Sequence, residues 1–498
     1  MSIKTSTLAR PRLGPASHIG LGCLFAAAGL LAGSQMASTT TRPIAVLAAA
    51  ALVYLAFFLW QPTVAILGYI ALRPLVDAFV FQSYHGFTLG VLWGIGMVVS
   101  ASLFLVMESA DRVHRMRVAA VPIAFLFILA VLTFTRPEFP TAVSDWTKVA
   151  SWILVLLVCE RIASDRAGQL RCWWAGIVMA CVLVVAVGIM IVQHRYGSTF
   201  YADALSQITG EPPHPLSLTA VLLLPLALSG ALVVGRRRLS LSIAAGLLAA
   251  IILSYVRTAY IGGFLVLGAL VAVAVRGRGR ASAFAIAAVL GLGVAVYAMW
   301  GRISARFSDL TLLADSGAAR AGAGSGRIGI WRAALNGSFD TVQHAIIGRG
   351  RWDAEQLMIK AIGSHVGAHN DLLDYLLVGG VVLGIAWLVM LAWMIATPLH
   401  VLRDRRQSSD AKAFAGLMLG GAAAFVLMSM VNAIAPYQAS IAAGLLLGLT
   451  RGVMVTPGET FLDPDSCRPG SATALTHPAL DAKGGLAEQL VHQSSDVV

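Results

Sequence analysis

The feature that most limits how this chain can fold is the recurrence of long apolar runs. A run of about 20 apolar residues is the length a helix needs to cross a bilayer. Such runs fall at about residues 19–35, 43–60, 63–81, 88–107, 118–135, 146–160, 173–193, 216–234, 239–256, 258–275, 281–300, 371–400, 412–432 and 438–453, fourteen in all. Hydrophobic residues make up 58% of the 498 residues, charged residues 12%, and the mean hydropathy is +0.79. A soluble chain carries about twice that share of charge. The expected fold is all-α: a polytopic transmembrane bundle of about 12–14 spans with one long, partly helical periplasmic loop.

Five segments follow from this pattern: a cytoplasmic N-terminus (1–18), an N-terminal transmembrane bundle (19–300), a large outward loop (301–370), C-terminal transmembrane helices (371–453) and a disordered cytoplasmic tail (454–498). The tail is rich in Pro, Ser, Gly, Asp and His and lacks apolar periodicity. The basic start (Lys4, Arg10, Arg12), followed by apolar sequence from Ile19, resembles a signal sequence, but with so many further spans it reads as a signal anchor.

Loop charge sets the orientation. Arg112–Arg117, the stretch with Arg161, Arg166 and Arg171, Arg236–Arg238, Arg276–Arg280 and Arg403–Arg406 are basic. All five fall on one side if 239–275 crosses twice, turning near Arg257. The positive-inside rule makes that side the cytoplasm and puts Gly301–Asn370 outside. The formal net charge of +12 is thereby explained by topology, which argues against a nucleic-acid partner. Five cysteines without a CxxC indicate neither a disulfide framework nor a thiolate metal site.

The outward loop nonetheless carries Arg302, Arg306, Arg320, Arg327, Arg332, Arg349 and Arg351, against the charge bias of its side. Arg327 follows Gly324-Ser325-Gly326 and begins an amphipathic stretch with Trp331; an arginine beside free backbone N–H groups suits a phosphate. Arg349 and Arg351 alternate with Gly348 and Gly350, which would let backbone approach a ligand. His369-Asn370 stands where the loop returns to the membrane; a neutral imidazole there can take a proton from a hydroxyl, and Asn370 can orient it or bind a sugar. Asp374 follows one turn later. His365 and His369, four apart, form a weak metal alternative with no HExxH, so neither metal nor cofactor is expected.

Elsewhere, Arg73 and Asp77 lie one helical turn apart around Pro74, either as a self-neutralising pair or as part of a site. Arg257, with no acid within a turn, invites an anion or snorkels to headgroups. The outward segment Gln193–Pro215, with His214, is a candidate lid or acceptor-binding element, or a plain connector.

Leu253–Thr258 with Ser254 and Arg257, Gly326–Trp331, the Gly348/Gly350 segment and His369-Asn370 followed by Gly380 and Gly384 together resemble the O-antigen ligase/polymerase family of polytopic membrane glycosyltransferases. The likeness covers about residues 200–435, and Leu72–Asp77 is also similar. It implies metal-independent transfer of an undecaprenyl-diphosphate-linked glycan to an acceptor hydroxyl at the periplasmic face of a bacterial inner membrane. On that resemblance His369 is the base, and Arg257 and Arg327 hold the diphosphate. Asn370, Arg349, Arg351, Trp331, Arg73 and His214 would contact substrate. The implied partners are the lipid-linked donor, a glycan or lipid A-core acceptor, the bilayer, and a flippase and chain-length regulator. One departure stands out. The ligase pattern has Gly, Thr or Tyr three residues after the glycine that stands here as Gly380, where this chain has Leu383. The alternative from another class is a multi-pass transporter of an anion or small solute, which would show paired charges and broken helices at mid-membrane.

Overall fold

The computed structural model describes residues 42–78, 83–84, 87–108, 120–134, 139–192, 214–234, 236–254, 256–276, 293, 327–362, 368, 370–431 and 439–455. All of them lie within one compact unit, Met1–Phe461. The expected spans 19–35 and 281–300 (save Gly293), the cytoplasmic start and the tail lie outside the described residues.

The chain is an all-α polytopic membrane bundle. Its helices are α1 (Arg42–Trp60), α2 (Pro62–Ala71), α3 (Arg73–Ala78), α4 (Leu89–Glu108), α5 (Ala120–Phe134), α6 (Phe139–Ile162), α7 (Arg166–Val192) and α8 (His214–Leu232). They continue with α9 (Arg237–Leu253), α10 (Arg257–Arg276), α11 (Arg327–Ser338), α12 (Val342–Ile347), α13 (Arg351–Ile362), α14 (Asp371–Arg403), α15 (Ser409–Val431) and α16 (Ala439–Val455). A two-residue hairpin, β1 (Ser83–Tyr84) with β2 (Phe87–Thr88), precedes α4. Among the described residues, five helices are long and apolar enough to cross a membrane: α4, α7, α10, α14 and α15. α1, α2, α5, α8 and α16 contain shorter apolar helices of 10–17 residues. α6 carries Asp145, Lys148, Glu160 and Arg161, yet its middle, from Trp152 to Cys159, is among the most deeply buried sequence in the protein.

Two expectations meet the structure at particular residues. The run 63–81 is not one helix: α2 stops at Ala71, Leu72 turns, and α3 starts anew at Arg73. Pro74 offers no N–H to bond back into the preceding turn, so a break just before it costs least. The stretch 239–275 does form two helices, α9 and α10. Between them the Ser254 hydroxyl donates to the Ile251 carbonyl at 2.7 Å and accepts the Val256 N–H at 3.2 Å, closing a tight turn that leaves Arg257 as the first residue of α10.

Packing is tightest where side chains are smallest. α16 lies along α6, with Gly444, Gly448 and Gly452 against the backbone at Trp152, Leu156 and Ala163, a small-residue seam of the kind that draws membrane helices together. Trp152, Trp387, Phe425, Phe125 and Tyr375 form a connected aromatic cluster where α5, α6, α14 and α15 meet.

These contacts fix which helix ends share a side. α15 runs antiparallel to α10, with Gly262 against Met428, Gly420 against Ala269 and Gly416 against Val273. It is also antiparallel to α8, with Gly421 against Pro225. The starts of α8, α10 and α14 and the end of α15 therefore lie at one end of the bundle. Arg161, Arg236–Arg238, Arg403 and Arg451 lie at the other end: Ser240 packs on Gly230, Gln407 donates to the Val453 carbonyl, and Gly452 meets Ala163. The expectation that 239–275 doubles back and groups Arg161, Arg236–Arg238 and Arg403 at one end agrees with this geometry; Arg112–Arg117 and Gly277–Arg280 lie outside the described residues.

Candidate functional site

Residues 327–362 form a small helical cap on the first turns of α14. Ile330 and Ala334 of α11, Ala354 and Met358 of α13, Ala368, and Leu377 and Val378 of α14 make its apolar core, with Trp331, Leu357 and Leu373 packed at the edge. Apolar residues three and four apart on two short helices give each one face to bury, and α14 supplies the third wall.

The cap is locked to α14 by backbone. α14 is interrupted at Gly380, with φ 63° and ψ −163°, values open to glycine and closed to most side chains. The break exposes carbonyls that would otherwise lack partners. Arg349 N–H donates to the Leu377 carbonyl and Gly350 N–H to the Val378 carbonyl, both at 2.9 Å. Gly348 has φ 72°, and a Cβ there would come within 2.3 Å of the Val378 backbone. A Cβ on Gly380 would come within 2.4 Å of Ile346. The glycines flanking Arg349 thus permit a close approach to α14.

The segment ending the loop is held from three directions. Trp331 Nε1 donates to the Ala368 carbonyl at 2.9 Å. The Ala368 N–H donates to Asp374 Oδ1 at 2.6 Å. Asn370 caps α14, its Oδ1 accepting the Leu373 N–H at 3.1 Å, while its Nδ2 donates to the Met430 carbonyl at 2.6 Å. His369 itself lies outside the described residues, as do His365 and the loop 301–326.

The remaining candidates take the following positions. Arg257 opens α10, half-buried, five residues before Gly262, which packs on Met428. It therefore lies at the same end as Asn370. His214 opens α8 and Arg327 opens α11; both side chains are outside the described residues. Arg349 bonds the Gly337 carbonyl through Nε at 2.7 Å and pairs with Asp340, which also contacts His344 Nδ1 at 2.6 Å. Arg351 Nε lies 2.9 Å from Asp145 Oδ2 on α6, an acid that also holds Lys148 at 3.1 Å. Arg73 is buried, stacks 4.5 Å over the Trp93 ring and reaches the Gly90 carbonyl at 3.4 Å; the Asp77 side chain lies outside the described residues.

Arg73, Arg257, Arg351, Trp331 and Asn370 are thus brought to one end of the bundle, with the first residues of α8 and α11. Asp145 joins them without having been singled out from the sequence. Its only sequence signal was its place just before the run at 146–160, where it reads as a boundary acid. At the opposite end, Arg451 and Glu160 were also missed because 291 residues separate them. Among the described residues no group of three or more His, Cys, Asp and Glu is placed to hold a metal ion.

No family model matches the sequence, and no curated protein aligns with it.

Proposed function

We propose that this protein is a membrane glycosyltransferase of the O-antigen ligase/polymerase type. It would move an undecaprenyl-diphosphate-linked glycan onto an acceptor hydroxyl at the periplasmic face of a bacterial inner membrane. The observation that carries the reading is the anchoring of Ala368 and Asn370, the described neighbours of His369 in sequence, at the bundle end where Arg257 begins α10 and away from the arginine-rich loops. A base and a cation at one face of the bundle are what a hydroxyl attacking a phosphate-activated carbon requires.

In this reaction His369 takes the acceptor hydroxyl proton as the oxygen attacks the anomeric carbon. The bond from that carbon to the phosphate oxygen breaks, and the departing diphosphate carries the electron pair. Arg257 and Arg327 offset its charge, aided by the helix N-termini of α8 and α10 at the same end. Arg349 and Arg351, engaged with Asp340 and Asp145, serve first to hold the cap, and they face a donor only by exchanging those partners.

The broken helix at Gly380 is a feature a solute transporter would also display. In this chain the carbonyls freed by the break are taken by the backbone of Arg349 and Gly350, leaving that feature occupied by the protein's own loop. This favours the transferase reading.

The test is His369→Ala and Arg257→Ala in cells, assayed for polymer length or ligated glycan and for accumulated lipid-linked glycan. Loss of product with accumulation of donor is expected. Wild-type product at normal protein levels in both variants removes the proposal, as does a reporter fusion that places residues 327–362 in the cytoplasm.

A further inference from the structure

The cap carries an apolar surface that its own core does not use. No residue of α12 is buried. Val342 and Ile346, one turn apart on one face, are 78% and 52% exposed. Phe339 just before the helix and Ile347 at its end are exposed as well, and Leu335 and Trp352 extend the surface on the flanking helices. His344 sits about 160–200° round the helix from Val342 and Ile346 at 100° per residue, so the short helix is two-sided.

This face does not stand apart from the membrane region. The backbone at Ile346 touches Gly380, and the residues after Gly380 on α14 (Val381, Val382, Ile385) are themselves exposed on a helix long and apolar enough to span the bilayer. The exposed apolar side of α12 therefore lies next to the exposed apolar stripe of α14. Gly380 lies six residues past Asp374, roughly 9 Å further along the chain at helical rise, and Asp374 is near the polar layer of Arg351 and Asp145. That depth matches the roughly 5–10 Å by which interfacial helices sink their apolar face.

Irregular backbone survives at such depth only when its polar groups are paired within the protein. That condition is met where α14 breaks, because Leu377 and Val378 carbonyls receive Arg349 and Gly350 N–H groups. The acid beside the apolar face, Asp340, is paired with Arg349 and His344.

We infer that the apolar face formed by Phe339, Val342, Ile346 and Ile347 is lipid-inserted: this side of α12 lies among the acyl chains of the leaflet at the cap end, with Asp340 and Trp352 at the interface, and the occupant of the face is bilayer lipid. The cap thus grips the membrane directly beside the candidate site. The inference rests on the membrane fold and stands whether or not the chain transfers glycans.

The unmodified full-length protein is reconstituted into nanodiscs of phosphatidylethanolamine and phosphatidylglycerol containing a lipid with a photoactivatable diazirine on its acyl chain. After illumination, adducts are mapped by mass spectrometry. Adducts within 339–347 are expected alongside those on the exposed face of 381–389. Labelling of 381–389 with none in 339–347 overturns the inference. In a background free of native cysteines, V342C and I346C should react with a membrane-impermeant maleimide several-fold more slowly than D353C on α13. Equal rates overturn the inference, and so does cross-linking between two copies through I346C, which would assign the face to a second chain.

Discussion

The two ends of the bundle both set arginines against acids, and they do so in opposite styles. At the arginine-rich end Arg451 of α16 is 2% exposed, makes two hydrogen bonds to Glu160 of α6 at 2.8 and 3.0 Å, and stacks 4.9 Å over Trp393 of α14. One residue ties three helices together. At the cap end, Arg351 and Asp145 are 35% and 23% exposed, and Arg349 pairs with a 41% exposed Asp340. The first joins the cap to the bundle, and the second closes a turn within the cap. A solvent-touched ion pair is worth about 0–1 kcal/mol and can exchange partners cheaply, whereas a buried one can lose neither half without stranding the other. One end is built to stay shut. The other is built from exchangeable contacts around a few rigid points.

That contrast can be broken or sharpened by substitution, each variant read as thermal unfolding of purified protein in detergent. Arg451→Ala should have the largest effect, a loss of roughly 3–5 kcal/mol, because it leaves Glu160 facing a buried seam without its cation. A shift near zero would erase the distinction between the ends. Gly380→Ala should follow, with roughly 1–3 kcal/mol of backbone strain and a steric conflict at Ile346 besides; faster proteolysis within 339–350 would show that the cap has come loose while the bundle persists. Asn370→Ala should cost about 0.5–2 kcal/mol as a lost helix cap, and it should lower product formation more than stability, since it also frees the bond to Met430. Arg351→Ala should be smallest, about 0.2–1 kcal/mol. A double-mutant cycle with Asp145→Ala checks that this value belongs to the pair, and a coupling as large as that of Arg451 with Glu160 would refute the contrast.

Much of the architecture was legible because a bilayer imposes a length and a charge rule on sequence. The apolar runs that became α4, α7, α10, α14 and α15 were long enough to read, and the turn before Arg257 that divides 239–275 into two helices follows from the loop charges. The run 63–81 was misjudged as continuous because hydropathy does not register Pro74. The glycines round Arg349 were legible as sites of close approach, but not what approaches them, since the partner carbonyls lie near Gly380, some 30 residues on. Trp331 donates a hydrogen bond to the Ala368 carbonyl, a pairing that only the folded cap creates.

The sequence by itself determined that this chain is a membrane bundle, which helix ends share a side, and where the polar cap interrupts the spans, because each follows from local hydropathy and local charge. Only the tertiary structure decided which charges are spoken for. Glu160 finds Arg451, Asp145 finds Arg351, and the carbonyls released at Gly380 find Arg349 and Gly350. Partners that far apart in sequence are chosen by helix packing, and packing is set by the seam of small residues along α16 and α6 and by the fit of aromatic side chains where α5, α6, α14 and α15 meet.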